Sequence, residues 1–177
     1  MRTFSALFAA ATLALTANAA VIQTGEVTAP VLECVSAIAN IEKVLDLVDL
    51  NVSLLNIVDV NINLGNLDTG LAKADATCGK ITDVVSDVEA AAVLKAVKPT
   101  VSKATTLIGG VLEKKDSLLS GLLGSIQSSA ISGIISKTES LTTTLLHITP
   151  TSYLSTAQGL VKKVTTTYET TKEGLDL

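Results

Sequence analysis

The sequence predicts an all-α protein of about five amphipathic helices in a single bundle, joined by one disulfide. Three observations carry this. Val31, Cys34, Ile38, Ile41, Leu45 and Val48 step by three and four, the seam of a helix buried on one side. Leu67, Leu71, Ala74, Cys78, Ile81, Val85 and Val88 repeat the rhythm. Each seam carries one of the two cysteines, so two helices facing a common core bring Cys34 and Cys78 together.

The N-terminus has the three parts of a secretory signal over residues 1–19: Arg2, the apolar run Phe4 to Leu15, and the small-x-small triplet Ala17-Asn18-Ala19. The apolar run is shorter than the roughly 20 residues a membrane span needs, and no later run is longer. Lys172, Glu173 and Asp176 interrupt the C-terminus where a glycolipid anchor requires a hydrophobic tail. Residues 20–177 then form one helical domain, long enough to bury a core. The expected location is secreted, extracellular or in a cell wall.

After a polar lead-in over 20–29, Pro30 sits in the first turn of helix one with Thr28 as its cap, and the seam runs to about Leu50. An Asn/Val-rich insertion near 51–66 follows. Val58 to Leu64 alternates apolar and polar residues, which reads as an extended or irregular connection. A distorted helix is the alternative, since Leu54, Val58 and Ile62 are four apart and a lone strand has nothing to pair with. Asn51-Val52-Ser53 is an N-glycosylation sequon, placing a glycan on Asn51.

Helix two is expected from about Leu67 to Ala92, with Gly70 and Gly79 in its interior. Pro99 then separates a short piece, Ala90 to Val97, from a third helix with Val101, Ala104, Ile108, Val111 and Lys115 on its face. Residues 116–125 read as the turn into a fourth helix, which points Ile126, Ile131, Ile134, Leu141 and Leu145 inward. Thr149 and Pro150 cap and open a fifth, with Leu154, Ala157, Val161, Val164 and Tyr168 on its face and a frayed tail from Thr171.

A secreted chain with two cysteines points to a disulfide Cys34–Cys78, with two buried free thiols as the bland alternative. Zinc is weaker, because two cysteines and the single His147 do not make a four-ligand set. The formal net charge is −4 and Arg2 is the sole arginine. Lysines pair only at Lys114-Lys115 and Lys162-Lys163, solvated faces rather than a phosphate-binding patch, so no nucleic-acid partner is expected. Gly79-Lys80 does not make a phosphate loop, since Ala74 and Ile81 replace its required glycine and hydroxyl residue.

Catalytic machinery is not legible either. His147 is the one base available to a serine nucleophile, and no Gly-x-Ser-x-Gly elbow accompanies it. Asp83, Asp87 and Glu89 read as the polar face of helix two. The sequence therefore points to a non-enzyme with no cofactor and no metal. Its remaining signal is an apolar excess: 47% of residues are hydrophobic but 2% aromatic. Leu, Ile, Val and Ala must then fill the interior without large rings. The outcome is a well-packed aliphatic core, an apolar cavity for an alkyl chain, or apolar surface left for adsorption.

Thr149-Pro150, followed by Leu154-Ser155-Thr156-Ala157-Gln158-Gly159-Leu160 and running on to Tyr168, resembles the last helix of the fungal hydrophobic surface-binding protein and cell-wall galactomannoprotein family. Val97-Lys98-Pro99 through Lys114-Lys115 and Gly121-Leu122 is similar to the middle of that family. The resemblance implies a secreted or wall-associated fungal helical bundle that binds long-chain fatty acids in an apolar cavity or adsorbs to hydrophobic surfaces, with cell-wall polysaccharide as a further partner. The expected lipid-binding residues are Val101, Ile108, Ile126, Ile131, Ile134, Leu145, Val161 and Val164. The rival expectation is a structural protein that coats hydrophobic surfaces through exposed helix faces.

Overall fold

The computed structural model describes residues 27–48, 57–113 and 124–175. Five helices follow in order: α1 (Ala29–Leu45), α2 (Ile57–Cys78), α3 (Asp87–Glu113), α4 (Gly124–Ile148) and α5 (Thr151–Leu175). No strand occurs among the described residues. The expected all-α bundle is the observed fold. Helix α1 packs on α2 and α3, α2 on α4, α3 on α5, and α4 on α5. These contacts close a ring with a common interior.

Side-chain bonds fix the directions in that ring. Cys34 and Cys78 form the disulfide, their Cα atoms 4.7 Å apart, which joins the start of α1 to the end of α2 and makes the pair antiparallel. Neither cysteine is free, so the thiol and zinc alternatives fall away. Helices α2 and α4 run parallel. Asp68 pairs with Lys137, and two turns further along both helices Asp75 accepts hydrogen bonds from Thr144 at 2.6 Å and Ser140 at 2.6 Å. Helices α1 and α3 are also parallel, tied by Thr28 to Glu89 at one end and by Asp46 and Glu42 to Lys103 at the other.

The first seam is buried as expected up to Leu45, but the helix ends there rather than near Leu50: Asp46 N–H donates to Glu42 O and Leu47 N–H to Val44 O, which closes the last turn and leaves half-buried Val48 beyond it. Val31, Cys34, Ile38, Ile41 and Leu45 are buried, Pro30 lies in the first turn and Thr28 occupies the cap position. The Thr28 hydroxyl, however, donates to Glu89 rather than to its own helix.

The second seam needs correction at both ends. The irregular segment expected over 51–66 is helical from Ile57 onward, and residues 51–56, Asn51 included, lie outside the described residues. Buried Leu64, Leu67, Leu71, Ala74 and Cys78 continue a single stripe that holds the Asn-rich stretch in a helix. A helix satisfies its own backbone, whereas a solitary strand would leave its groups unpaired. At the other end α2 stops at Cys78, not near Ala92. The Gly79 N–H donates to Asp75 O at 2.8 Å and Ile81 N–H to Cys78 O at 3.0 Å, which tightens and closes the last turn. Gly79 therefore ends the helix instead of interrupting it. Val85 lies in the connection, buried, and its N–H donates to Ile148 O at 2.9 Å. Val88 is exposed in the first turn of α3.

The break expected at Pro99 is absent: α3 runs through it from Asp87 to Glu113. The proline removes one N–H from the ladder, a cost on the order of 3 kcal/mol in an isolated helix. Yet Val93, Val97, Thr100, Ala104 and Leu107 stay in phase on both sides of it, all buried or half-buried. Packing of that unbroken face against the core offsets the lost bond. The turn expected over 116–125 falls almost wholly on residues 114–123, outside the described residues.

Two further details differ at α5. The Thr149 hydroxyl donates to Leu145 O at 2.6 Å, so Thr149 closes α4 rather than capping α5, whose first turn is instead marked by Tyr153 N–H to Pro150 O at 3.0 Å. The tail expected to fray from Thr171 stays helical to Leu175, with Thr171 buried and Lys172 paired with Glu139.

Candidate functional site

Apart from Phe4 and Phe8, both in the expected signal, the chain has no phenylalanine and no tryptophan, and Tyr153 and Tyr168 are its two tyrosines. Branched aliphatic side chains on five helices must meet in the middle of the ring, and they leave space there. One void of about 60 Å³ lies between all five helices. Ile38, Ile41 and Leu45 of α1 and Leu67 and Leu71 of α2 form one side; Ala104 and Ile108 of α3, Ile134 and Leu141 of α4, and Tyr168 of α5 form the other. A second void of about 40 Å³ lies between α3, α4 and α5, walled by Val93, Leu94, Leu146, Ala157, Leu160 and Val161. Val97, Val101, Thr142, Leu145 and Val164 border both.

The polar groups of the lining are uncharged. Tyr168 OH donates to Thr138 Oγ1 at 3.1 Å, and Thr138 Oγ1 donates to Ile134 O at 2.7 Å. Burial pushes the Tyr168 phenol pKa up, so this chain of bonds stays neutral. Thr100 and Thr149 return their hydroxyls to Ala96 O and Leu145 O. Among the described residues no Asp, Glu, Lys, Arg or His lines either void. A charge placed inside would be desolvated without a partner, whereas an alkyl chain needs none.

The two voids adjoin through the five residues that border both. Along α3 they extend from Val93 to Ile108, about 22 Å at 1.5 Å per residue. One leaflet of a bilayer is about 15 Å of hydrocarbon, half of the roughly 30 Å core. Their combined span is therefore long enough for one extended acyl chain, although the space along it is narrow at rest.

Of the expected lining residues, the structure brings six to the voids. Val101, Leu145 and Val164 border both, Ile108 and Ile134 the first, and Val161 the second. Ile131 is buried against Ile108, Ile135, Val164 and Tyr168 and lines neither void. The Ile126 side chain lies outside the described residues. Sequence reasoning missed the contribution of α1 and α2, although both cysteine seams had to face the same interior as the later helices.

The carboxylates read as one polar face separate. Asp83 and Asp87 are exposed, but Glu89 is buried. Its Oε2 accepts Ser86 N–H at 3.0 Å and Ser86 Oγ at 2.8 Å, and its own N–H donates to Ser86 Oγ at 3.4 Å, a capping box at the start of α3. Its Oε1 takes two bonds from Thr28. Burial raises this carboxyl's pKa, but the bonds from Thr28 and Ser86 outweigh burial and hold it down at about 2. Every acceptor position is committed to the fold. His147 is exposed in the last turn of α4. Among the described residues no group of three His, Cys, Asp or Glu side chains could hold a metal ion, and no helix is long and apolar enough to cross a membrane.

No protein-family model and no curated protein matches the sequence. Among solved structures, the fold is similar to that of AfMP4p, described as the crystal structure of AfMP4p in complex with palmitic acid. The TM-score is 0.72 over 82% of this chain and 99% of that one, at 17% sequence identity. At that identity the likeness is one of fold.

Proposed function

We propose that this is a secreted, non-enzymatic protein that holds the alkyl chain of a long-chain lipid between its helices, in a fungal extracellular or cell-wall setting. The observation that carries the reading is the pair of adjoining apolar voids inside the helix ring, to which every helix contributes and, among the described residues, no charged group does. Its support from outside the chain is a fold shared with a protein crystallised with palmitic acid. The signal-like residues 1–19 support secretion, and the resemblance of the chain from Val97 to Tyr168 to the galactomannoprotein family supports the fungal wall setting.

In this reading the chain enters by separating helices. The resting voids, about 60 and 40 Å³, together hold roughly seven to ten water-sized positions at 10–15 Å³ each, too little for a long alkyl chain. Accommodation of a long chain requires side chains and helices to move outward. A carboxylate or other headgroup stays at the surface, because the interior offers no counter-charge.

Adsorption to hydrophobic surfaces is less well supported by the described residues. Their large exposed apolar side chains are Leu47, Ile62, Val84 and Val88. Leu47 and Ile62 lie near one end of the bundle, where Asn63 Nδ2 donates to Leu47 O, and Val84 and Val88 lie at the start of α3. These are separate pairs rather than one apolar face. Native mass spectrometry of protein recovered from the producing cells, before and after addition of fatty acids, tests the proposal. A copurified or added lipid at one per chain is expected. A folded protein that carries none and takes up none would sink it.

A further inference from the structure

Five described residues border both voids and so stand between them as a partition: Val97 and Val101 on α3, Thr142 and Leu145 on α4, and Val164 on α5. Three helices converge on this level, and each contributes a branched side chain. The larger void continues past it toward Ile108 and Tyr168, the smaller toward Val93 and Ala157. We infer that this partition selects the length of the bound alkyl chain. Within the lipid-binding reading on which it rests, a short chain occupies the larger void alone. A longer chain has to displace the partition and enter the smaller one.

Physical reasons single out Val101 and Leu145 as the working parts. Both are half-buried rather than locked in the densest core, so each has room to be changed without emptying a fully packed site. They stand on different helices, α3 and α4, that do not share an extensive direct contact and are bridged here by α5. Thr142 places a hydroxyl at this level, as Thr100, Thr138 and Tyr168 do in the larger void and Thr149 in the smaller, so the partition acts by the bulk of its branched side chains rather than by polarity. Ile131 provides a control: it lies buried on α4 and borders neither void.

The test compares binding of saturated fatty acids from eight to eighteen carbons to the full chain and to Leu145→Ala, Val101→Phe and Ile131→Val, each checked by circular dichroism for native helicity. Leu145→Ala opens the partition and Val101→Phe narrows it, so the preferred length moves in opposite directions. The longer acids should gain on the shorter ones in Leu145→Ala by roughly tenfold for every two carbons newly enclosed, and lose in Val101→Phe. Ile131→Val should keep the parental preference. If the folded variants bind with an unchanged length preference, the partition has no selective role while lipid binding stands. If neither the parent nor any variant binds an acid of any length, lipid binding itself is refuted and this inference with it.

Discussion

Thr28 donates both its backbone N–H, at 2.9 Å, and its hydroxyl, at 2.7 Å, to a single oxygen of Glu89, 61 residues further along the chain. The same carboxylate closes the Ser86 capping box, so one buried side chain fixes the starts of α1 and α3 together. This junction sits at the end of the bundle that also carries the disulfide and the Val85 to Ile148 backbone bond.

That arrangement gives a pH signature. The Glu89 carboxyl titrates at about 2 in the fold against 4.5 ordinarily. A depressed pKa contributes its stability in full above about pH 4.5 and loses it as pH falls toward 2. The shift corresponds to an upper figure on the order of 3 kcal/mol. Glu89→Gln, which turns two donors toward Thr28 or Ser86, should lower stability in urea unfolding at pH 7 by about 2 to 3 kcal/mol. The gap between parent and variant should close as pH is lowered toward 2. A gap that does not change with pH would contradict this role.

The disulfide carries a second expectation. Cys34 and Cys78 are 44 residues apart in sequence, and closing such a loop contributes about 4 kcal/mol on the chain-entropy account, less where the unfolded chain retains structure. Reduction should lower the thermal midpoint measured by circular dichroism and leave residual helix at low temperature. An unchanged midpoint would mean that the pairing of α1 with α2 does not depend on the bond.

Glycines inside helices separate into two kinds. At Gly159 a Cβ would meet nothing within 4 Å, whereas at Gly133 it would lie 3.0 Å from Asp68 Oδ1, the carboxylate paired with Lys137. Gly159→Ala should therefore stabilise the protein by up to about 1 kcal/mol. Gly133→Ala should gain less or lose stability, because the close approach of α2 to α4 uses the missing side chain. Chemical denaturation of the two variants side by side decides this.

The helices themselves were legible where an apolar stripe of period 3.6 was long and uninterrupted, as in α1 and α5. Their boundaries were legible only through local chemistry that can be read two ways. Gly79 reads as a tolerated interior glycine because Ile81, Val85 and Val88 continue the spacing beyond it. The true stop was marked by the Ser86-x-x-Glu89 box starting a new helix seven residues later. Pro99 reads locally as a break, but the buried face that runs through it keeps the helix continuous. The Asn-rich stretch looked extended because asparagine disfavours helices, yet the stripe from Leu64 onward decided the matter. In the cavity, the later helices were identified by their apolar excess. Ile38, Ile41, Leu67 and Leu71 stand on the two cysteine seams, where the spacing marks them as buried but does not say that they border space. Space between packed side chains depends on their mutual geometry, which spacing along one chain does not encode.

The central claim is that the interior of the ring accepts an alkyl chain. Isothermal titration of the folded protein with monomeric palmitate, repeated across temperature, tests it most directly. The account predicts saturable binding of one palmitate per chain with a negative heat-capacity change from buried apolar surface. Absence of saturable binding, or binding whose heat capacity does not change, would contradict it.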